Sequence, residues 1–211
     1  KTFLTQLVAV YLVALYLSQV RATQYGDDVA TVVHELAEMP RNVAQVLTTM
    51  EPVREIARSL AGVTTVLFLG RHVGYPIALE GALKLKELAY MHAEGFAAGE
   101  LKHGPIALIE EGVPVVVVVP SPLGRSVLHA KIVANIQEVR ARGARTIVIA
   151  EEGDDSVVPY ADELIRVPAV PTLLQPLVSV IPLQVFACEL AVARGNNVDR
   201  PRNLAKSVTV E

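Results

Sequence analysis

Three charged side chains stand at helical spacing in one stretch of this sequence: Glu80, Lys84 and Glu87. At about 100° per residue they fall within roughly 60° of one another, so two carboxylates and an ammonium share a face. His103 follows in the loop Gly99-Glu100-Leu101-Lys102-His103-Gly104-Pro105. Carboxylate and imidazole are proton-moving groups, and a neighbouring cation tunes them. The same spacing also makes a surface ladder of ion pairs, and a loop histidine often only bonds backbone. A fourth group is Lys206, in the ending DRPRNLAKSVTVE. Pro201, Asn203, Leu204, Ala205 and Val208 give this tail a surface that can pack on the body. A lysine desolvated over a pocket has a lowered pKa and attacks carbonyls, whereas a frayed tail leaves it solvated.

The elements that must position these groups are legible from the apolar pattern. Leu67, Phe68 and Leu69 end a buried strand, Gly70 allows a sharp exit, and Pro76 suits the first turn of a helix reaching about Met91. The runs at 66–69, 114–119, 146–150 and 163–167 predict four strands. The second, PVVVVV, shows no polar alternation, as expected of a central parallel strand covered on both faces. Helices are predicted over 125–142 and 173–194, ended by Gly143 and by Gly195-Asn196-Asn197. Before the first strand lie a helix over 1–22, a short one capped by Asp28 and stopped by Pro40, a segment reaching Met50, and a piece over 53–60. Strand alternating with helix implies an α/β fold, an open and mostly parallel sheet flanked by helices with an N-terminal helical arm. Such a sheet keeps its sites at loops and helix starts, where Glu87, Lys84 and His103 are expected.

Composition excludes several classes. The chain has 211 residues, 52% hydrophobic and 19% charged, with a net charge of −3 and no tryptophan. That gives no electrostatic footprint or stacking platform for nucleic acid. The first twenty residues are nearly apolar, but polar residues confine the uninterrupted run to 7–17, too short to span a bilayer. A buried helix rather than a membrane segment is expected there. The single cysteine, Cys188, lies in an apolar helical run, reads as a small core residue, and fits a cytoplasmic setting. Gly70, Gly74 and Gly81 do not form a dinucleotide fingerprint, and the five histidines lack metal-ligand spacing.

EGALKLKELAYMHAEGFAAGELKHGP and DRPRNLAKSVTVE resemble the C-terminal half of the glutamine–fructose-6-phosphate transaminase (isomerising), or glucosamine-6-phosphate synthase, family. Gln6 in KTFLTQL fits that family's linker helix between two sugar-isomerase (SIS) domains. The likeness runs the length of the chain. In the family, a glutaminase domain frees ammonia and two SIS domains convert fructose 6-phosphate to glucosamine 6-phosphate. The resemblance implies that Glu87 moves the proton between C1 and C2, with Lys84 assisting by charge and hydrogen bonds. It implies that His103 opens the sugar ring from a neighbouring subunit, that Lys206 forms a Schiff base with the open-chain ketose, and that Ala205, Lys84 and Glu87 contact the substrate. Enolisation needs a base poised near neutrality, and Glu80 and Lys84 would push the Glu87 pKa in opposite directions.

The resemblance also implies no metal and no organic cofactor, only ammonia from glutamine, and a homodimer. Residues 1–62 are then expected to be the end of the first SIS domain with a helical arm, 63–198 the second SIS domain, and 199–211 a catalytic tail. The glutaminase domain and most of the first SIS domain, which supplies the Ser/Thr loop gripping the sugar phosphate, are expected to be missing. The fragment alone is therefore expected to bind fructose 6-phosphate weakly and turn over little. The alternative is a non-catalytic SIS module that binds a sugar phosphate in a regulator, with no need for Lys206 beside Glu87 and Lys84. A dimerisation scaffold is a third reading, supported by the apolar first helix.

Overall fold

A computed structural model describes residues 2–124 and 126–204. Five parallel strands form one sheet: β1 (Thr65–Gly70), β2 (His92–Ala97), β3 (Pro114–Val118), β4 (Arg145–Glu151) and β5 (Glu163–Val167), in the order β2-β1-β3-β4-β5. Every residue of β3 is buried, as the unalternated valine run requires. Among the described residues six α-helices accompany the sheet: α1 (Thr2–Val20), α2 (Gly26–Thr48), α3 (Glu51–Ser59), α4 (Gly74–Lys84), α5 (Ser126–Arg140) and α6 (Gln175–Ala193).

The period of two divides the strand residues between two cores. Val66, Phe68, Val116, Val118, Ile147 and Ile149 meet α3, α4 and α6 on one face. Leu67, Leu69, Val115, Val117 and Val148 meet α5 on the other. Gly195, at φ +76°, ends α6 in the left-handed region, and the Asn196 N–H returns to the Ala191 carbonyl at 2.9 Å.

Several expectations need correction. Pro40 does not stop a helix, because α2 runs through it. Pro40 is exposed, so water can satisfy the carbonyl left by its missing N–H, and the buried residues of the helix are Val29, Met39 and Val46. The helix begins at Gly26, with Tyr25 rather than Asp28 at its cap. The sequence reading missed β2. HAEGFA has little β-branched character, and Gly95 is there for close approach: a Cβ would lie 3.1 Å from Leu79 Cα on α4. Cys188 is exposed, on the outward side of α6. The first helix is not buried either. Only Leu15 is fully covered, Phe3, Leu4, Leu7, Val8 and Tyr11 pack against the core, and Val10, Val13, Tyr16 and Val20 are exposed. A helix apolar all round cannot bury every side against one neighbour.

Candidate active site

Helix α4 leaves the end of β1 and must run antiparallel to the strands to reach the start of β2. Its last turn and the turn beyond it, with Lys84 and Glu87, therefore lie towards the amino-terminal ends of the strands. This corrects the expectation that these groups stand at helix starts by the carboxyl rim. Beyond Lys84 the helix widens into a π turn over Leu85–Ala89 and breaks at Tyr90, at φ +55°. Such turns are rare and concentrate at functional sites. Leu85 and Ala89 are buried, so the widened turn leaves Lys86, Glu87 and Tyr90 facing outward.

Lys84 joins both carboxylates. Its ammonium donates to Glu87 Oε2 and stands 3.6 Å from Glu80 Oε1. The three side chains are only 14% (Glu80), 26% (Lys84) and 29% (Glu87) exposed, too covered for a freely solvated ladder. Burial works against the Lys84 charge, but its hydrogen bond to Glu87 and the charges of Glu80 and Glu87 outweigh it, holding the amine above its ordinary 10.5. Lys84 is thus a cation at neutral pH and serves as charge and donor, not as a base. A raised folded-state pKa stabilises the fold fully below the unfolded value, and that contribution is lost as pH rises through the folded one. Lys84→Met is therefore expected to abolish one component of the stability lost above about pH 10.5, read from urea midpoints across pH.

Beside Glu87 opens a cleft of about 440 Å³, with Lys86, Glu87 and Tyr90 on one wall and Arg202, Asn203 and Leu204 on the other. The tail is brought there by specific contacts. Asn196 Nδ2 donates to the Leu88 carbonyl at 3.0 Å, and the Asn197 side chain accepts the Asp199 and Arg200 N–H groups. The Arg202 N–H then donates to the Tyr90 hydroxyl at 2.7 Å, and its guanidinium lies 4.1 Å over the Tyr90 ring. Sequence reasoning missed Tyr90 as the tail's dock; its place just after the helix was the only available signal. Tyr90→Phe keeps the ring and loses the hydroxyl, about 1 kcal/mol. Hydrogen exchange at the Arg202 amide is expected to quicken by roughly fivefold, with global stability little changed.

His103 is elsewhere. It ends a 3₁₀ turn over Ala98–His103, whose Ala98 and Leu101 pack in the α5-side core, on the opposite face from α4. Its side chain is exposed, with Nδ1 2.7 Å from Glu100 Oε2. The chain does not bring it to Glu87. Ala205 and Lys206 lie outside the described residues, which end at Leu204 on the cleft wall.

One Ser/His/Asp group, with His129 and Asp154 buried and Ser156 exposed, invites a hydrolytic reading and fails it. Ser156 Oγ donates to Asp154 Oδ1 at 2.6 Å, and His129 Nε2 lies 2.7 Å from Asp154 Oδ2. The hydroxyl proton goes to the carboxylate, not the imidazole, so the serine is not activated. The group braces α5 against the connection into β5.

Comparison with known proteins bears on the family and the fold. The SIS domain profile matches residues 59–194. Glutamine–fructose-6-phosphate aminotransferase [isomerizing] of Streptomyces coelicolor is 78% identical over 211 residues, all of this chain and 34% of that protein. The Mycobacterium tuberculosis protein of the same name is 68% identical over the same span and share. The chain thus covers about a third of the length of these relatives. Among solved structures, the C-terminal domain of glucosamine-fructose-6-phosphate aminotransferase from Francisella tularensis superposes with a TM-score of 0.88 at 35% identity, over 94% of this chain and 55% of that one. Tagatose-6-phosphate ketose/aldose isomerase from Escherichia coli shares the fold, at TM-score 0.63 and 24% identity, over 77% of this chain and 45% of that one.

Proposed function

This chain belongs to the SIS-domain family, and from that premise we propose that it is the isomerase portion of a glutamine–fructose-6-phosphate aminotransferase. The full-length protein would make glucosamine 6-phosphate from fructose 6-phosphate and glutamine-derived ammonia. The observation that carries this reading is the cleft in which Glu87, held by Lys84, faces the incoming tail at Arg202–Leu204.

In this reading the Lys206 amine attacks the C2 carbonyl of the open-chain ketose, and loss of water leaves an iminium. Ammonia then replaces the lysine at C2 and frees it. Glu87 takes a proton from C1 and returns it to C2, while the C1 hydroxyl gives up its proton and the imine nitrogen gains one, which turns the ketose imine into an aldose amine. Lys84 orients the carboxylate through its hydrogen bond, and Ala205 contacts the sugar. His103, far from Glu87 in its own chain, would open the ring of a sugar bound by a neighbouring subunit of a homodimer. Residues 1–62 form the arm from a first SIS domain, 63–198 the second SIS domain and 199–211 the catalytic tail. The exposed face of α1 would bury itself against that first domain.

The test is an assay of the full-length protein with fructose 6-phosphate and glutamine. Glucosamine 6-phosphate is expected, whereas tight sugar-phosphate binding without turnover would favour a regulator's binding module. The present chain alone is expected to bind fructose 6-phosphate weakly and turn over little, since the phosphate grip would come from the first SIS domain.

A further inference from the structure

The two faces of the sheet are covered unequally. The crossover from β2 to β3 contains only 3₁₀ turns, over Ala98–His103 and Pro105–Leu108, where a full helix would ordinarily lie beside α5. A groove of about 420 Å³ remains between those turns and α5. Its walls include Arg71, Gly99, Lys102, Lys131, Asn135 and Glu138. It lies on the opposite face of the sheet from the Glu87 cleft and is independent of the function proposed above.

Arg71 is held in one orientation. Its Nε donates to Asn135 Oδ1 at 3.0 Å, and Asn135, only 5% exposed, donates through Nδ2 to Glu138 Oε2 at 3.2 Å. Glu138 is already partnered, with Lys102 Nζ 2.7 Å from its other oxygen. Among the described residues neither Arg71 Nη group meets an acceptor, and Lys131 has no carboxylate partner. Gly99 leaves the guanidinium its room, since a Cβ there would lie 3.2 Å from Arg71 Nη1. The next residue, His72, sits at φ +52°, an unfavourable conformation for a side chain of its size. Arg71, Lys102 and Lys131 against Glu138 leave the groove positive, in a chain of net charge −3.

We propose that this groove is a binding site for a small phosphate-bearing anion. A guanidinium fixed through Nε presents its two remaining nitrogens as a fork matching two phosphate oxygens, and Lys131 adds a second charge from α5. The volume exceeds that of phosphate and admits a body of nucleoside size.

Calorimetric titration of the chain with inorganic phosphate and with AMP tests this, with amide NMR shifts locating the site. Saturable binding of both is expected, with shifts at Arg71, Gly99 and Lys131. Arg71→Ala is expected to weaken binding at least tenfold. Arg71→Lys should not restore it, because the charge returns without the fork. Glu87→Gln should leave it unchanged. Lys131→Glu, on the exposed side of α5, is expected to abolish binding, and it carries the test if Arg71→Ala does not fold. No saturable binding, shifts confined to the Glu87 cleft, or wild-type affinity in Lys131→Glu would overturn the proposal.

Discussion

Replacing Glu87 by glutamine in the full-length protein is expected to lower kcat for glucosamine 6-phosphate formation by about 10²–10⁴, with KM for fructose 6-phosphate little changed. Glutamine keeps the size of the side chain and an oxygen that Lys84 can still reach, so the cleft and the tail dock on Tyr90 should survive. What is lost, on the proposed function, is the group that accepts a proton from C1 and returns it to C2. The proposed Schiff base forms without that transfer, so borohydride trapping of the sugar on the enzyme should persist in this variant. Were Glu87 only a partner in an ion-pair ladder, the substitution would shift stability by a few tenths of a kcal/mol and leave kcat alone. A kcat within threefold of wild type would remove Glu87 from the chemistry. The substitution should also stop loss of tritium from C1-labelled substrate, which separates proton transfer from amine addition.

Whether these groups meet depends on elements that were legible to different degrees. The central strand was plain because five consecutive valines after Pro114 admit burial on both faces. The shared face of Glu80, Lys84 and Glu87 was plain because helical spacing alone fixes it, and Lys84 does contact both carboxylates. The widened turn was not legible, since LKELA is compatible with an ordinary α-helix and only tertiary packing selects the π form. The edge strand HAEGFA was invisible for the opposite reason: its pairing with β1, from Thr65 against His92 to Gly70 against Ala97, comes from a long-range register and not from β propensity. Missing that strand placed the last turn of α4 at the wrong end of the sheet. With β2 in position the helix must descend, and the cleft beside Glu87 forms between that last turn and the returning tail.

The tail therefore carries the second large expectation: Lys206→Ala in the full-length protein should abolish borohydride trapping of fructose 6-phosphate and lower kcat by at least about a hundredfold. Leu204 stands on the wall of the Glu87 cleft, and two further residues extend the chain by at most ~7 Å. Under the proposed function the Lys206 amine works beside Glu87. Peptide mass analysis of the trapped wild-type protein should find the reduced sugar adduct on the peptide holding Lys206 and not on Lys84 or Lys86. Lys84 is unsuited to that role, since its two carboxylate neighbours hold it protonated and a protonated amine has no lone pair to offer. Lys206→Arg should not rescue, because a guanidinium keeps the charge and stays protonated at any accessible pH. An adduct on Lys86, or full activity in Lys206→Ala, would place the nucleophile on the cleft's other wall and reduce the tail to a cover.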